Sequence, residues 1–277
     1  MSGTRFRQVI REALGNIHRE VKIAITPVPQ PQKWVFLVGC YNSGTTLLAE
    51  LLGQHPQISA LHTEGHFITD QFIKDYDIGL PRMWVGREDI FCLPEDDTSV
   101  DVVRLKKEWG MRMDLSKPVL LEKSPPNSAR TLWLQKNFDN AYFIGIMRNG
   151  YAVAEGISRK GDPQHIRGGW PIADSAYQWA RGNEILASDA KKLNNFTWVN
   201  YEDFSSDTGN ALNKIASFLE LDPFVGFDKA KDFSIHERKQ SVRDLNLESI
   251  KRLSPEDIAI INDVAGNALD EFGYERL

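Results

Sequence analysis

Gly39-Cys-Tyr-Asn-Ser-Gly-Thr-Thr46 places two glycines, an asparagine and three aliphatic hydroxyls in one short stretch. The apolar run Trp34–Val38 before it reads as a buried strand, and Thr45 to Gln54 after it reads as a helix opening near Gly44. A tight turn between strand and helix aims several backbone N–H groups and the positive end of the helix dipole at one point, which makes an anion site. Asn42, Ser43, Gly44, Thr45 and Thr46 are the candidate anion ligands. The spacing mimics the phosphate loop of nucleoside triphosphatases, but that loop needs Lys directly after its second glycine, where Thr45 stands. A nucleotide kinase is the alternative, weakened by Thr45 and by the lack of an Asp at a strand end to hold magnesium. The plainer alternative is a glycine-containing turn with no ligand, although two successive Thr are a poor opening for a helix.

Other charged residues sit where elements end. Lys123 closes the apolar run Pro118–Leu121-Glu, and Arg148 closes Tyr142–Met147. At the carboxyl end of a strand in an open α/β sheet, a side chain faces the ligand crevice. A cation there is costly unless something compensates it. For Lys123 the other outcome is an ion pair with Glu122. The planar fork of Arg148 suits a terminal phosphate. In Glu64-Gly-His-Phe67, Glu64 is a candidate base, since a carboxylate in hydrogen-bond reach accepts a proton. His66 would orient Glu64 or an acceptor, and His62 is a substitute. Against this stand a surface carboxylate and a packed histidine.

Strands at 34–38, 118–121, 142–147 and 196–199 alternate with helical patterns at about 127–138, 173–193, 207–219 and 255–272, the last capped by Ser254. Near-continuous apolar strands in this alternation predict an α/β fold, a P-loop-like three-layer arrangement of a central parallel sheet flanked by helices. Residues 76–117 and 161–172 break the rhythm and are expected to form the substrate-side rim. Residues 4–24 read as an amphipathic helix with a solvated charged face, the alternatives being a membrane-surface or homodimer contact. The Pro-rich stretch 26–32 separates this helix from a single domain at 33–277. Trp170, Tyr177 and Trp179 either shape an acceptor groove or belong to the core.

The loop resembles the 5′-phosphosulfate loop of sulfotransferases that use 3′-phosphoadenosine 5′-phosphosulfate. Gln54-His-Pro-Gln-Ile58 followed by Glu64-Gly-His-Phe67 looks like the corresponding segment of heparan-sulfate 3-O-type sulfotransferases, where a Glu-x-His-Phe run carries the base. Glu122-Lys-Ser-Pro125 is similar to their Glu-Lys-Thr/Ser-Pro run. Phe143-Ile-Gly-Ile-Met-Arg-Asn149 looks like the strand that delivers the 3′-phosphate Arg, and Val199-Asn-Tyr-Glu-Asp203 is common across the superfamily. The resemblance implies sulfonate transfer from the nucleotide to an acceptor hydroxyl by in-line displacement, with no metal and with a carbohydrate acceptor favoured. It implies Glu64 as base, Lys123 on the bridging oxygen and sulfonate, and Arg148 on the 3′-phosphate. It also implies a late basic loop, here Glu237-Arg-Lys-Gln-Ser241, with Arg238 and Lys239 closing on that phosphate. Asn42 stands where relatives usually carry Lys or Arg, and the usual Ser eight positions after the Arg is Gly156, with Ser158 as its replacement. A catalytically inactive nucleotide-binding protein is the remaining alternative.

Composition narrows the classes further. The 277 residues carry 33 Lys+Arg against 38 Asp+Glu, net −5, which argues against a surface built to grip nucleic acid. Two cysteines, Cys40 and Cys92, make no disulfide framework and no zinc spacing. The charged N-terminal stretch lacks the apolar core of a signal peptide, and no run is long enough to span a bilayer. The expectation is a cytoplasmic enzyme acting on a small-molecule or carbohydrate acceptor.

Overall fold

A computed structural model describes residues 3–161, 169–225, 233–235, 238–240 and 242–277, with backbone alone for 3–13 and 233–240. Five parallel strands form the central sheet: β1 (Lys33–Gly39), β2 (Ile58–Ala60), β3 (Val119–Lys123), β4 (Ala141–Met147) and β5 (Phe196–Asn200), in the order β2-β3-β1-β4-β5. Every residue of β1 is buried because both faces of the sheet are covered. Val35 and Leu37 pack towards α2 (Thr45–Leu52) and the helix Thr208–Phe218, meeting Leu48, Leu51, Leu212 and Ile215. Trp34, Phe36 and Val38 pack the other way, on Leu105 and Trp109 of the helix Val102–Gly110 and Trp133 and Leu134 of the helix Thr131–Asn137. Period-two alternation with two apolar faces explains why the strand reads as one unbroken apolar run. The expected three-layer α/β architecture is the observed one.

Two details depart from the sequence reading. Strand β2 is three residues long and pairs with β3 alone, too short to leave a periodic signal. The helix expected over 127–138 is preceded by a 3-10 turn, Pro125–Ala129, because Pro125 and Pro126 have no N–H to offer. Trp179 is fully buried between the helices Gly150–Arg159, Ile172–Ala190 and Pro255–Glu271, and its Nε1 donates to the Arg148 carbonyl at 2.9 Å. It is core rather than groove.

Helix α1 (Gly3–Ile25) corrects another expectation. Its charges are not simply solvated: Arg19 pairs with Glu108 at 2.6 Å, and Glu20 pairs with Arg104 at 2.8 Å. Leu14, Ile17, Val21 and Ile25 lie exposed instead, with Ile23 buried. Asp70, Arg104 and Glu108 present charge to the helix, so its polar side is the one that docks. Among the described residues no helix is long and apolar enough to cross a membrane.

Candidate active site

The phosphate loop joins β1 to α2. Gly44 has φ 94°, and a Cβ there would come within 2.8 Å of the Tyr201 ring, so both backbone and space require glycine. No side chain caps α2, which leaves its first N–H groups to face the loop. The Ser43 hydroxyl and the Asn42 Nδ2 are buried and have no hydrogen-bond partner among the described residues. Arg148 follows β4 directly and is nearly buried. Its Nη1 donates to the Asn42 carbonyl at 2.8 Å, its Nε donates to Asn246 Oδ1 at 2.7 Å, and the guanidinium lies 4.3 Å from the Tyr201 ring centre. Asn246 is in turn held by Glu202, which also accepts from the Asn149 N–H. Nη2 of Arg148 is buried and, among the described residues, unpaired.

Unpaired donors buried in this way are costly unless a ligand takes them. Asn42 and Arg148 border a hollow of about 80 Å³ that is also lined by Gly156, Lys160, Ser249 and Arg252, among others. A Cβ on Gly156 would sit 3.1 Å from Asn42 Cγ, so the missing side chain at 156 makes room for the Asn42 carboxamide. The two departures from the family pattern therefore fit one another. Burial holds the Lys160 ammonium below its ordinary pKa, and Arg82, Arg159 and Arg148 add to the effect.

A larger cavity of about 440 Å³ opens beside α2, lined by Thr46, His62, Glu64, Phe67, Arg82 and Lys123 among others. Lys123 ends β3, level with Leu37 of β1. Its ammonium donates to Glu64 Oε1 at 2.7 Å and to Thr46 Oγ1 at 3.1 Å. The ion pair with Glu122 does not form, because successive strand residues point to opposite faces. Glu122 is fully buried and accepts from the Gly65 N–H at 2.8 Å, from Asn127 Nδ2 at 2.5 Å and from the Ser124 hydroxyl. Burial pushes its carboxyl up to about 7, against the opposing pull of those hydrogen bonds. Glu122 thus pins the short helix α3 (Gly65–Ile68), and with it Glu64, to the sheet. A separate hollow of about 130 Å³ near Trp198 and Lys214 shares none of these groups.

A profile of the sulfotransferase family matches residues 35–225, a span that holds the loop, Glu64, Lys123 and Arg148. The chain belongs to the sulfotransferase family. The fold is similar to the sulfotransferase domain of the olefin synthase of Synechococcus PCC 7002, at 19% identity and TM-score 0.54, covering 90% of this chain and 98% of that one. It is similar to the sulfotransferase domain of the curacin biosynthetic pathway, at 17% identity and TM-score 0.53, covering 90% and 100%. Sulfotransferase STF9 from Mycobacterium avium matches at 14% identity and TM-score 0.56, covering 94% and 81%. No curated protein matches the sequence.

Within this sulfotransferase the expected residues divide. Asn42 and Arg148 line the smaller hollow, while Thr46, Glu64 and Lys123 meet in the larger cavity. Ser158 does not line the hollow beside Arg148: its hydroxyl donates to the Trp170 carbonyl at 2.7 Å. Arg238 and Lys239 lie on β7 (Arg238–Gln240), antiparallel to β6 (Phe233–Ile235), and their side chains lie outside the described residues. Tyr201 and Asn246, which seat Arg148, and Glu122, which seats α3, had no assigned role. The Tyr-Glu pair and the Glu-Lys-Ser-Pro run were visible signals for two of them, and Asn246 had none.

His66 does not orient Glu64 by a hydrogen bond, since Nδ1 lies 3.7 Å from Glu64 Oε2 and 3.1 Å from Ser124 Oγ. Nδ1 and Glu122 share the Ser124 hydroxyl, and among the described residues Nε2 is buried without a partner. Burial, followed by Arg130, Lys123 and Lys74, pushes the imidazole down to about 3 from 6.5. The folded value lies below the unfolded one, so this contribution to stability is present above pH 6.5 and is lost as pH falls towards 3. Between pH 7 and 5, wild-type stability should fall by about 1–2 kcal/mol more than that of His66→Asn in urea titrations. Parallel pH profiles would show that the imidazole protonates freely inside the fold.

Proposed function

We propose that the protein transfers the sulfonate of 3′-phosphoadenosine 5′-phosphosulfate to an acceptor hydroxyl. The observation that carries this reading is the set of buried, unpaired donors Asn42 Nδ2, Ser43 Oγ and Arg148 Nη2 beside a cavity that holds a carboxylate and an ammonium in contact. They fit a ligand with two separated phosphate groups. The nucleotide supplies an activated sulfonate when bound. Arg148 and Lys160 hold its 3′-phosphate, and the Asn42–Thr46 backbone with the Ser43 and Thr46 hydroxyls holds its 5′ side. Glu64 takes the proton of the acceptor hydroxyl, and Lys123 stabilises negative charge on the bridging oxygen.

The polar lining of the larger cavity, with His62, Thr63, Glu50 and Gln54, favours a polyhydroxylated acceptor such as a carbohydrate. We place the enzyme in the cytoplasm, with residues 33–277 as its functional unit. The exposed apolar stripe of α1 is consistent with a homodimer contact.

Calorimetric titration separates this reading from a kinase. Adenosine 3′,5′-bisphosphate should bind in the presence of a chelator, whereas ATP with magnesium should not compete. Arg148→Ala should weaken the bisphosphate by about 1.5–3 kcal/mol, the scale of a charge-assisted hydrogen bond. Unchanged affinity would move the 3′-phosphate elsewhere, and a chelator-sensitive complex would remove the reading.

A further inference from the structure

Arg82 belongs to no motif in the sequence, yet its guanidinium reaches the phosphate loop. Nη1 donates to Asn42 Oδ1 at 3.2 Å, and the side chain lines the cavity that holds Thr46, Glu64 and Lys123. Its backbone is left-handed, with φ 66°, a conformation that a long side chain adopts only where the surroundings impose it. Asp75 imposes it. This fully buried carboxylate accepts from the Arg82 N–H at 2.7 Å and from the Tyr41 hydroxyl at 2.7 Å through Oδ2, and from the Tyr76 N–H at 3.0 Å through Oδ1. Tyr41 directly precedes Asn42, so one carboxylate fixes both the loop and the cation that overhangs it. Trp170 adds a second clamp, donating from Nε1 to the Pro81 carbonyl at 2.8 Å.

The charge of Arg82 is held without being cancelled. Its side chain meets a neutral carboxamide oxygen, and that oxygen also accepts from Lys160 Nζ at 3.1 Å. Among the described residues no carboxylate forms an ion pair with Arg82. Two cations sharing one neutral acceptor beside an anion loop leave positive charge available to a ligand.

We propose that Arg82 touches the sulfonate of the bound donor, supplying from the rim the positive charge that Asn42 does not supply from the loop. This rests on the donor reading above. Asn42 is the tether that aims the guanidinium, and Lys123 meets the reacting group from the β3 side of the same cavity.

The test compares two nucleotides that differ only by the sulfonate, 3′-phosphoadenosine 5′-phosphosulfate and adenosine 3′,5′-bisphosphate, by calorimetry. The proteins are the wild type and Arg82→Asn. Asn removes the charge and tolerates the left-handed backbone. Arg82→Asn should weaken the phosphosulfate about 10-fold or more, equivalent to about 1.4 kcal/mol, and leave the bisphosphate within about threefold. If Arg82→Asn does not fold, Arg82→Gln carries the same expectation. Equal loss for both nucleotides, or loss for neither, overturns the role of Arg82 and leaves the donor reading standing. A wild type that binds neither nucleotide overturns the donor reading itself.

Discussion

Glu64→Gln should lower the turnover number by about 10²–10⁴, the range typical of losing a general base, and leave adenosine 3′,5′-bisphosphate affinity within about twofold. Gln keeps the shape of the side chain and can still meet Lys123 through its carbonyl oxygen, but it cannot take the acceptor's proton. The substitution also spares α3, because that turn is held through Gly65 by Glu122 and not through the Glu64 side chain. Transfer of labelled sulfonate to an acceptor, measured beside calorimetric nucleotide binding, separates the two effects. Near-normal turnover would refute the assignment and pass the role to His62, which is exposed on the same cavity. His66 is a poor substitute, since its Nε2 is buried and its imidazole is pushed down to about 3.

Lys123→Ala should be comparably damaging for a different reason. The ammonium touches both Glu64 and Thr46, so its removal takes away charge stabilisation at the bridging oxygen and also the contact that positions the base. A loss of about 3–4 kcal/mol in the barrier is expected if the ammonium behaves like an oxyanion donor. The pH–rate profile tells the variants apart. The limb that a carboxylate base produces should vanish in Glu64→Gln and survive, at a reduced rate, in Lys123→Ala. If both variants lose that limb, the ammonium acts only through Glu64, and its direct role at the leaving oxygen is wrong.

The reading of the fold rested on local signals, and these carried over well. Strand β1, the glycine turn and α2 are contiguous, and their chemistry needs nothing from elsewhere in the chain. Lys123 ends β3 and Arg148 directly follows β4, as an apolar run closed by a cation predicts. What failed was mostly a matter of direction. Ser158 sits on the right helix, but its hydroxyl meets the Trp170 carbonyl. Trp179 has the right spacing for a groove and faces the core. The docked polar side of α1 could not be foreseen, because Asp70, Arg104 and Glu108 are remote in sequence and meet the helix only on folding.

Read along the chain, the residues point to a glycine turn on a parallel α/β sheet, with Glu64, Lys123 and Arg148 as the candidates for chemistry. Only the tertiary structure decided how they are paired. Lys123 and Glu64 are 59 positions apart, Arg82 and Asn42 are 40 apart, and Arg148 and Asn246 are 98 apart. Backbone preference and hydrophobic period act over a few residues and a few turns, so they can place an element and a face. Which side chain meets which across the crevice depends on strand order and on how the rim folds back over the loop. That is why Asn42 and Gly156, two departures when read along the chain, become one fitted contact in space.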